Sequence, residues 1–244
     1  MITKTSCLIR IFLRSLFIQS SFNFWRMQNL GFVFAVIPLI KSAGMDGIEA
    51  SRVLNRHLQM FSTHPCLAGP VLGSVVKLEE ETQDGREVED LKKTLMGPYA
   101  AMGDAFFWGA WRPFAAIGGV VLMMEGVLWA PLLFLILYNP VPFYVRLKGF
   151  IEGYRRGRRG IDFVGGLHLP ALAGKVRWMS VVLLGVLAAA ISRNAGHACA
   201  VVPNLLMDIL FSGVILLCFW MVTRGISTMK ILYGTVALLL LLSF

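Results

Sequence analysis

The sequence predicts an all-α integral membrane protein in which interrupted or re-entrant helices precede plain transmembrane helices at the C-terminus. Of its 244 residues, 57% are hydrophobic and only 15% are charged, and the mean hydropathy is +0.69. Soluble domains average about 45–50% apolar and about 25% charged residues, so a soluble fold of this size would leave much apolar surface uncovered. Lipid or a partner subunit is expected to cover it.

The N-terminal stretch predicts a helix on the membrane surface rather than a cleaved signal peptide. Lys4, Arg10 and Arg14 interrupt what would be the apolar region of such a signal. Residues 8–24 are therefore expected to form an amphipathic helix that lies in the membrane interface.

Five apolar segments in the middle of the chain are short or broken by glycine, proline or charge. Irregular backbone at membrane depth is tolerated only where protein buries it or where it lines a wet cavity, and interrupted helices point to transporter binding sites. Any one segment could equally be a buried helix packed through small residues, but five in succession favour a transporter. The segments are residues 29–40, 66–76, 95–111, 113–124 and 127–138.

Longer apolar candidates follow at residues 178–192, 205–222 and 231–244. The densest positive cluster lies within residues 146–159 and is expected on the cytoplasmic side of the membrane. With that side fixed, the three candidates would cross the membrane outward, inward and outward again.

These patterns divide the chain into three parts. Residues 1–28 are expected to form the amphipathic N-terminal helix. Residues 29–160 form a core of broken membrane helices with a polar segment on the cytoplasmic side, and residues 161–244 form C-terminal transmembrane helices. Within the polar segment, the three glutamates at 79–81 are expected at a solvated helix end, because acids are rarely buried.

Composition and motifs exclude several functions. The formal charge is +9, from 23 Lys and Arg against 14 Asp and Glu, yet the basic residues mostly flank apolar segments, which disfavours nucleic-acid binding. The sequence has no P-loop, dinucleotide, GxSxG or HExxH motif, so no cofactor and no catalytic residue are expected. The cysteines lack CxxC spacing and are expected to be buried, reduced thiols, with no metal. They are Cys7, Cys66, Cys199 and Cys218.

Two groups of polar residues are candidates for a sugar site. On a helix, Gln19, Asn23 and Arg26 would share one face, and amide and guanidinium groups suit the hydroxyls of a sugar. The alternative is a hydrated face of an interfacial helix. His57 and His64 could line a path or be structural, and His64 is expected to be extended because Pro65 follows it.

The sharpest local feature is an apolar run that contains Asp104, Trp108 and Arg112. Ionisable groups at membrane depth are costly and mark functional sites. Asp104 and Arg112 are two helical turns apart and could form a buried pair, with the indole between them as a platform for a pyranose ring. A structural salt bridge beside an interfacial tryptophan is the equal alternative.

At these residues the chain resembles the IID component of the mannose/fructose/sorbose family of the bacterial phosphoenolpyruvate-dependent sugar phosphotransferase system. Arg14-Ser15, and then Gln19 to Phe32, resemble the N-terminal family pattern FxQxSxNxxRMQNLGF. Two further blocks match, and the resemblance covers about residues 10–160. Those blocks contain Arg56-His57-Leu58, Phe61 to Pro65, Gly69 to Gly73, Leu95 to Pro98, Gly103-Asp104, Phe107 to Gly109 and Arg112-Pro113.

The resemblance implies a multi-pass protein of the bacterial inner membrane that forms a sugar path with a IIC subunit. Soluble IIA and IIB components would supply phosphate to a hexose, and IIC–IID units would assemble as trimers. Asn23, Arg26 and Gln28 would lie near the sugar or the IIC contact, and Asp104, Trp108 and Arg112 would shape the path. No histidine of a IID subunit carries phosphate, so His57 and His64 are not phosphorylation sites.

The chain also departs from the family pattern. Trp25 replaces a usual acid, Ala105 replaces a usual proline, and residues 161–244 match poorly. These departures leave a second hypothesis open, in which the chain is a divergent scaffold or docking subunit that does not transport. An intramembrane enzyme is disfavoured because nothing orients Ser74 and His64, the only candidate nucleophile and base.

Overall fold

The computed structural model describes residues 3–81, 85–198 and 204–242. Within these ranges the chain is helical, with two isolated bridges and no β-strand, which confirms the predicted all-α class. The chain forms two compact units, Met1–Val181 and Val182–Phe244. The candidate site lies in the first unit.

Twelve α-helices are described, together with 3-10 turns at Pro65–Leu67 and Gly157–Ile161 and a π-helix at Asp104–Trp111. The helices are α1 Thr5–Ser15, α2 Asn29–Ala43, α3 Gly47–His57, α4 Ala68–Glu81, α5 Gly85–Gly103, α6 Arg112–Met124, α7 Ala130–Tyr138, α8 Pro140–Arg156, α9 Asp162–Gly166, α10 Leu169–Ala198, α11 Asn204–Thr223 and α12 Thr228–Leu242.

Helix α1 is amphipathic, as predicted, but it is shorter than expected. It ends at Ser15, and turns fill residues 16–28, so the prediction of helix over residues 8–24 is wrong beyond Ser15. The polar run after α1 favours turns because its short side chains bond the local backbone; the Ser20 hydroxyl, for example, donates to the Phe17 carbonyl at 2.7 Å.

Among the described residues, two apolar helical runs are long enough to cross a membrane, Gly85–Met124 and Ala130–Ile191, with mean hydropathies of 1.3 and 1.6. Several expected breaks are absent, because Pro38 lies inside α2 and Pro98 lies inside α5. Proline is tolerated in membrane helices where neighbouring groups satisfy the freed carbonyls. The predicted segments are interrupted at the 3-10 turn before α4, at the π-helix between α5 and α6, and at residues 125–129 between α6 and α7.

Helices α4 and α8 pack with their backbones in contact. A Cβ atom at Gly69 or Gly73 of α4 would collide with the carbonyl of Arg146 or Phe150 on α8. A Cβ at Gly153 of α8 would collide with the Pro70 carbonyl in return. Small residues allow this close approach, which is how membrane helices gain van der Waals contact.

The cysteines follow the prediction only in part. Cys7, Cys66 and Cys218 are free thiols, but only Cys7 is fully buried. Cys199 lies outside the described residues.

Replacing Gly73 by alanine is expected to lower the stability of the protein by about 1–3 kcal/mol, because the obstructing atoms belong to the backbone of α8 and cannot rotate away. Thermal melting of the detergent-purified protein measures the change. Gly174→Ala is the matched control, since open space surrounds that position in α10, and it is expected to leave the melting temperature unchanged or raise it. Equal melting temperatures for both variants would contradict the packing described.

Candidate functional site

A tight turn at residues 23–27 closes the segment between α1 and α2. The backbones of Asn23 and Met27 exchange two hydrogen bonds, both 2.9 Å long. Met27 has a φ of 57°, a left-handed conformation that is costly for a residue with a side chain. The hydrogen bonds around the turn hold Met27 in it.

Gln28 joins this turn to the loop that follows α3. Its side-chain amide donates to the Thr63 carbonyl at 2.7 Å and accepts from the Thr63 amide at 3.1 Å. The Gln28 backbone amide donates to the Phe61 carbonyl at 2.8 Å. Gln28 is 2% exposed, so its amide is fully used in holding the two segments together.

Asn23, Arg26 and Asn29 complete the contact, without the shared helical face that was predicted. Asn23 donates to the Asn29 side chain at 2.8 Å and accepts from the Arg26 amide at 2.8 Å. Asn29 and the Arg26 guanidinium both donate to the Leu58 carbonyl, at 2.8 and 3.2 Å. The prediction of a common helical face with Gln19 is wrong, because no helix forms here; Gln19 is exposed and takes no part in these bonds.

The tip of the turn carries two exposed aromatic rings. Phe24 and Trp25 are 88% and 87% exposed. Arg26 is also exposed beside them. Large apolar rings projecting from an ordered turn form a surface suited to another protein or to lipid.

A buried cluster of charges lies behind the loop. Glu79 of α4 approaches the Arg56 guanidinium at 3.2 Å and the Nε2 atom of His57 at 3.0 Å, although the latter contact lacks good hydrogen-bond alignment. The Lys92 ammonium lies 3.4 Å from the Nδ1 atom of His57 and 4.7 Å from the Phe32 ring centroid. The expected solvated helix end is therefore wrong for Glu79, whose side chain is only 3% exposed.

His57 is neutral in this cluster. Complete burial is the main cause that lowers the pKa of His57, with the cations of Lys92 and Arg56 adding to it and Glu79 opposing it. With Nδ1 facing the ammonium, the proton of the neutral ring sits on Nε2, toward Glu79. His57 thus connects a cation on α5 to an anion on α4.

His64 lies against the π-helix and is 1% exposed. Its Nδ1 atom accepts from the Cys66 amide at 3.2 Å, capping the 3-10 turn, and its backbone is extended as predicted. The ring stacks on Phe107 at 5.1 Å and meets the edge of Trp108 at 4.7 Å. Gly103 leaves room for it, since a Cβ there would collide with the imidazole.

The imidazole of His64 offers a hydrogen-bond donor that is not used. Burial, and then the positive charge of Arg146, lower the pKa of His64 to about 4. Because Nδ1 accepts a bond, the proton of the neutral ring sits on Nε2, and Nε2 has no partner among the described residues. An unsatisfied buried donor is costly, so a group from outside this part of the chain is expected to accept the bond.

The π-helix changes the arrangement predicted for Asp104, Trp108 and Arg112. The Arg112 amide donates to the carbonyl of Phe107, five residues back, so residues four apart no longer align. Asp104 and Arg112 are both exposed, and no ion pair joins them within the described ranges. The predicted buried pair is therefore wrong. Trp108, which lies between Asp104 and Arg112 in sequence, is 47% exposed.

Arg177 of α10 is a contributor that sequence reasoning missed. Its guanidinium donates to the carbonyls of Ala105 and Gly109 in the π-helix, at 3.2 and 3.3 Å. A π-helix leaves carbonyls poorly satisfied, and a long cationic side chain can bond them. No sequence signal marks this role, because Arg177 is 68 residues from Gly109.

Comparison with known sequences shows what the whole chain is similar to. Residues 2–244 match the family described as the PTS system mannose/fructose/sorbose family IID component. The mannose-specific EIID component of Escherichia coli K12 is 33% identical over 247 residues, covering 92% of this chain and 87% of that protein. The fructose permease IID component of Bacillus subtilis strain 168 is 31% identical over 246 residues, covering 92% and 90%.

The chain is also similar to solved structures of membrane proteins. A cryo-EM structure of the mannose transporter ManYZ with microcin E492 has a TM-score of 0.61 at 28% identity, covering 97% of this chain and 94% of that chain. A structure described as a membrane protein has a TM-score of 0.71 at 30% identity, covering 96% and 94%. The expectation that similarity is confined to residues 10–160 is wrong, since the family match includes residues 161–244.

Gln28→Ala is expected to destabilise the protein by about 1–3 kcal/mol, because it leaves the amide and the carbonyl of Thr63 buried without partners. The melting temperature in detergent measures this loss. Gln19→Ala is the control, because Gln19 is exposed, and its melting temperature is expected to equal the wild type. Equal melting for both variants would show that the contact does not hold the loop.

The stability of the protein is expected to depend on the charge of His64. Its folded pKa lies below the ordinary value of 6.5, so the unfolded chain binds the proton more readily. This contribution is fully present above about pH 6.5 and is lost as the pH falls toward 4.

His64→Asn keeps a side-chain acceptor for the Cys66 amide but does not titrate. Its melting temperature is expected to fall less than that of the wild type between pH 7.5 and pH 5. His168→Asn is the control, because His168 is exposed and its φ of 48° suits asparagine. A slope as steep in His64→Asn as in the wild type would refute the role given to the imidazole.

Proposed function

We infer that the chain works as the IID-type membrane subunit of a sugar permease, since it belongs to the mannose/fructose/sorbose family of IID components of the phosphotransferase system. The observation that carries this conclusion is the family match over residues 2–244. The structural similarity to a mannose transporter supports it. A docking subunit that does not transport is not favoured, because the similarity covers nearly the whole chain.

The proposed substrate is a hexose, carried through a path that this subunit shares with a IIC partner. The relatives are named for mannose, fructose and sorbose, which supports this substrate class. The complex would lie in the bacterial inner membrane as a multi-pass assembly of IIC–IID trimers. The basic cluster at residues 146–159 supports a cytoplasmic face for that part of the chain.

Phosphate would reach the sugar from soluble IIA and IIB components, not from this subunit. The histidines support this division of labour. His57 and His64 are both fully buried, and the lowered pKa of each reflects that burial. Neither imidazole is accessible to a phosphocarrier domain.

The sugar is proposed to pass beside the π-helix. Trp108 offers a half-exposed apolar ring, and Asp104 and Arg112 add an exposed acceptor and exposed donors on the same segment. Sugar hydroxyls need both kinds of partner. π-Turns are frequent at functional sites.

The turn at residues 23–27 is proposed to contact the IIC subunit. Asn23 and Gln28 are engaged in internal bonds, so they position the turn rather than bind sugar. Phe24 and Trp25 project from its tip, and exposed aromatic rings of this kind commonly anchor interfaces. Arg26 lies exposed beside them as a polar contact.

Trp108→Ala is expected to lower uptake of labelled hexose about three- to tenfold in cells that carry the complete complex, because stacking on an aromatic face contributes about 1 kcal/mol. Trp129→Ala is the matched control, since Trp129 is 72% exposed at the start of α7, and it is expected to transport normally. Asp104→Asn and Arg112→Ala are expected to reduce uptake as well. Wild-type uptake in all three site variants, at equal protein level, would remove these residues from the site.

A further inference from the structure

A groove between α1 and α8 is separate from the proposed sugar path. Its volume is about 460 Å³. The walls are apolar along its length, and the polar groups are confined to one end. The walls are formed by Leu8, Ile9 and Phe12 of α1 and by Leu147, Phe150 and Ile151 of α8.

The two helices run antiparallel, which brings the start of α1 to the end of α8. Arg146, in the first half of α8, donates to the carbonyl of Ser15 at the end of α1. Thr5, Tyr154 and Arg155 line the opposite, polar end of the groove. Helix α1 starts there after Lys4 without a side-chain cap, so its first amides add to the positive potential.

The cation at the polar end, Arg155, has no carboxylate within ion-pair distance among the described residues. Arg155 is exposed and has no ion pair in the part of the chain that the structure describes, whereas its neighbour Arg156 is paired with Glu152 at 2.8 Å. The nearby carboxylate of Glu80 is already engaged by the Thr3 amide and the Tyr154 hydroxyl, at 3.1 Å each. The groove therefore combines a long apolar wall with a cation at its mouth.

We propose that this groove binds one anionic glycerophospholipid, with an acyl chain between α1 and α8 and its phosphate at Arg155, beside Thr5. The order of apolar wall and basic end matches the order of tail and head group in a lipid. Basic residues at the cytoplasmic membrane surface attract anionic lipids, and basic pockets between membrane helices bind their head groups.

Native mass spectrometry of the full chain, purified with its IIC partner, tests the proposal. Phosphatidylglycerol or phosphatidylcholine with the same acyl chains is added, and the fraction of retained lipid is measured. The wild type is expected to retain phosphatidylglycerol preferentially. Arg155→Gln is expected to lower its retention about fivefold. Arg52→Gln, which changes another exposed arginine on α3, is expected to retain it.

A second pair of variants tests the apolar wall. Ile9→Trp places a bulky ring in the groove and is expected to lower the retention of both lipids, whereas Leu135→Trp on the exposed face of α7 retains them. Equal retention of the two lipids by the wild type, or undiminished phosphatidylglycerol in Arg155→Gln, would overturn the proposal. Crosslinking of Ile9→Cys to the IIC subunit would overturn it too. Arg155 is exposed, so its variant decides the question even if Ile9→Trp fails to purify.

Discussion

A carboxylate as buried as that of Glu79 cannot remain charged without partners, and it finds them in Arg56 and His57 at the end of α3. The same imidazole meets Lys92 of α5 through its other nitrogen. Helices α3, α4 and α5 are thus joined through His57, whose ring lies between the Lys92 ammonium and the Glu79 carboxylate. Removing Arg56 would leave the Glu79 carboxylate buried without a cation in contact.

The position of the loop that follows α3 depends on this cluster. Gln28 binds the loop at Thr63, and the next residue, His64, meets Trp108 on the π-helix. The aromatic tip at residues 24–25 and the π-helix are therefore fixed relative to each other through a few hydrogen bonds and ring contacts.

Sequence reasoning reached the architecture but not the local geometry. Composition and hydropathy were enough for an all-α membrane fold, and the His64–Pro65 pair correctly implied extended backbone. The burial of Glu79 was missed because its partners lie 22 and 23 residues away, where no local pattern reveals them. The pairing of Asp104 with Arg112 failed because it assumed 3.6 residues per turn, and nothing in the amino-acid types announced a wider turn.

That wider turn has a consequence for how the segment tolerates change in length. A π-turn accommodates one residue more than the α-helical repeat, and each residue of an α-helix turns the chain by about 100°. Excision of a single residue between Asp104 and Trp111 would let the segment relax to an ordinary helix. The side chains of α6 would then keep about their present direction, because the wider turn already absorbs the extra residue. The π-turn therefore lets the segment hold one extra residue without rotating the helix that follows.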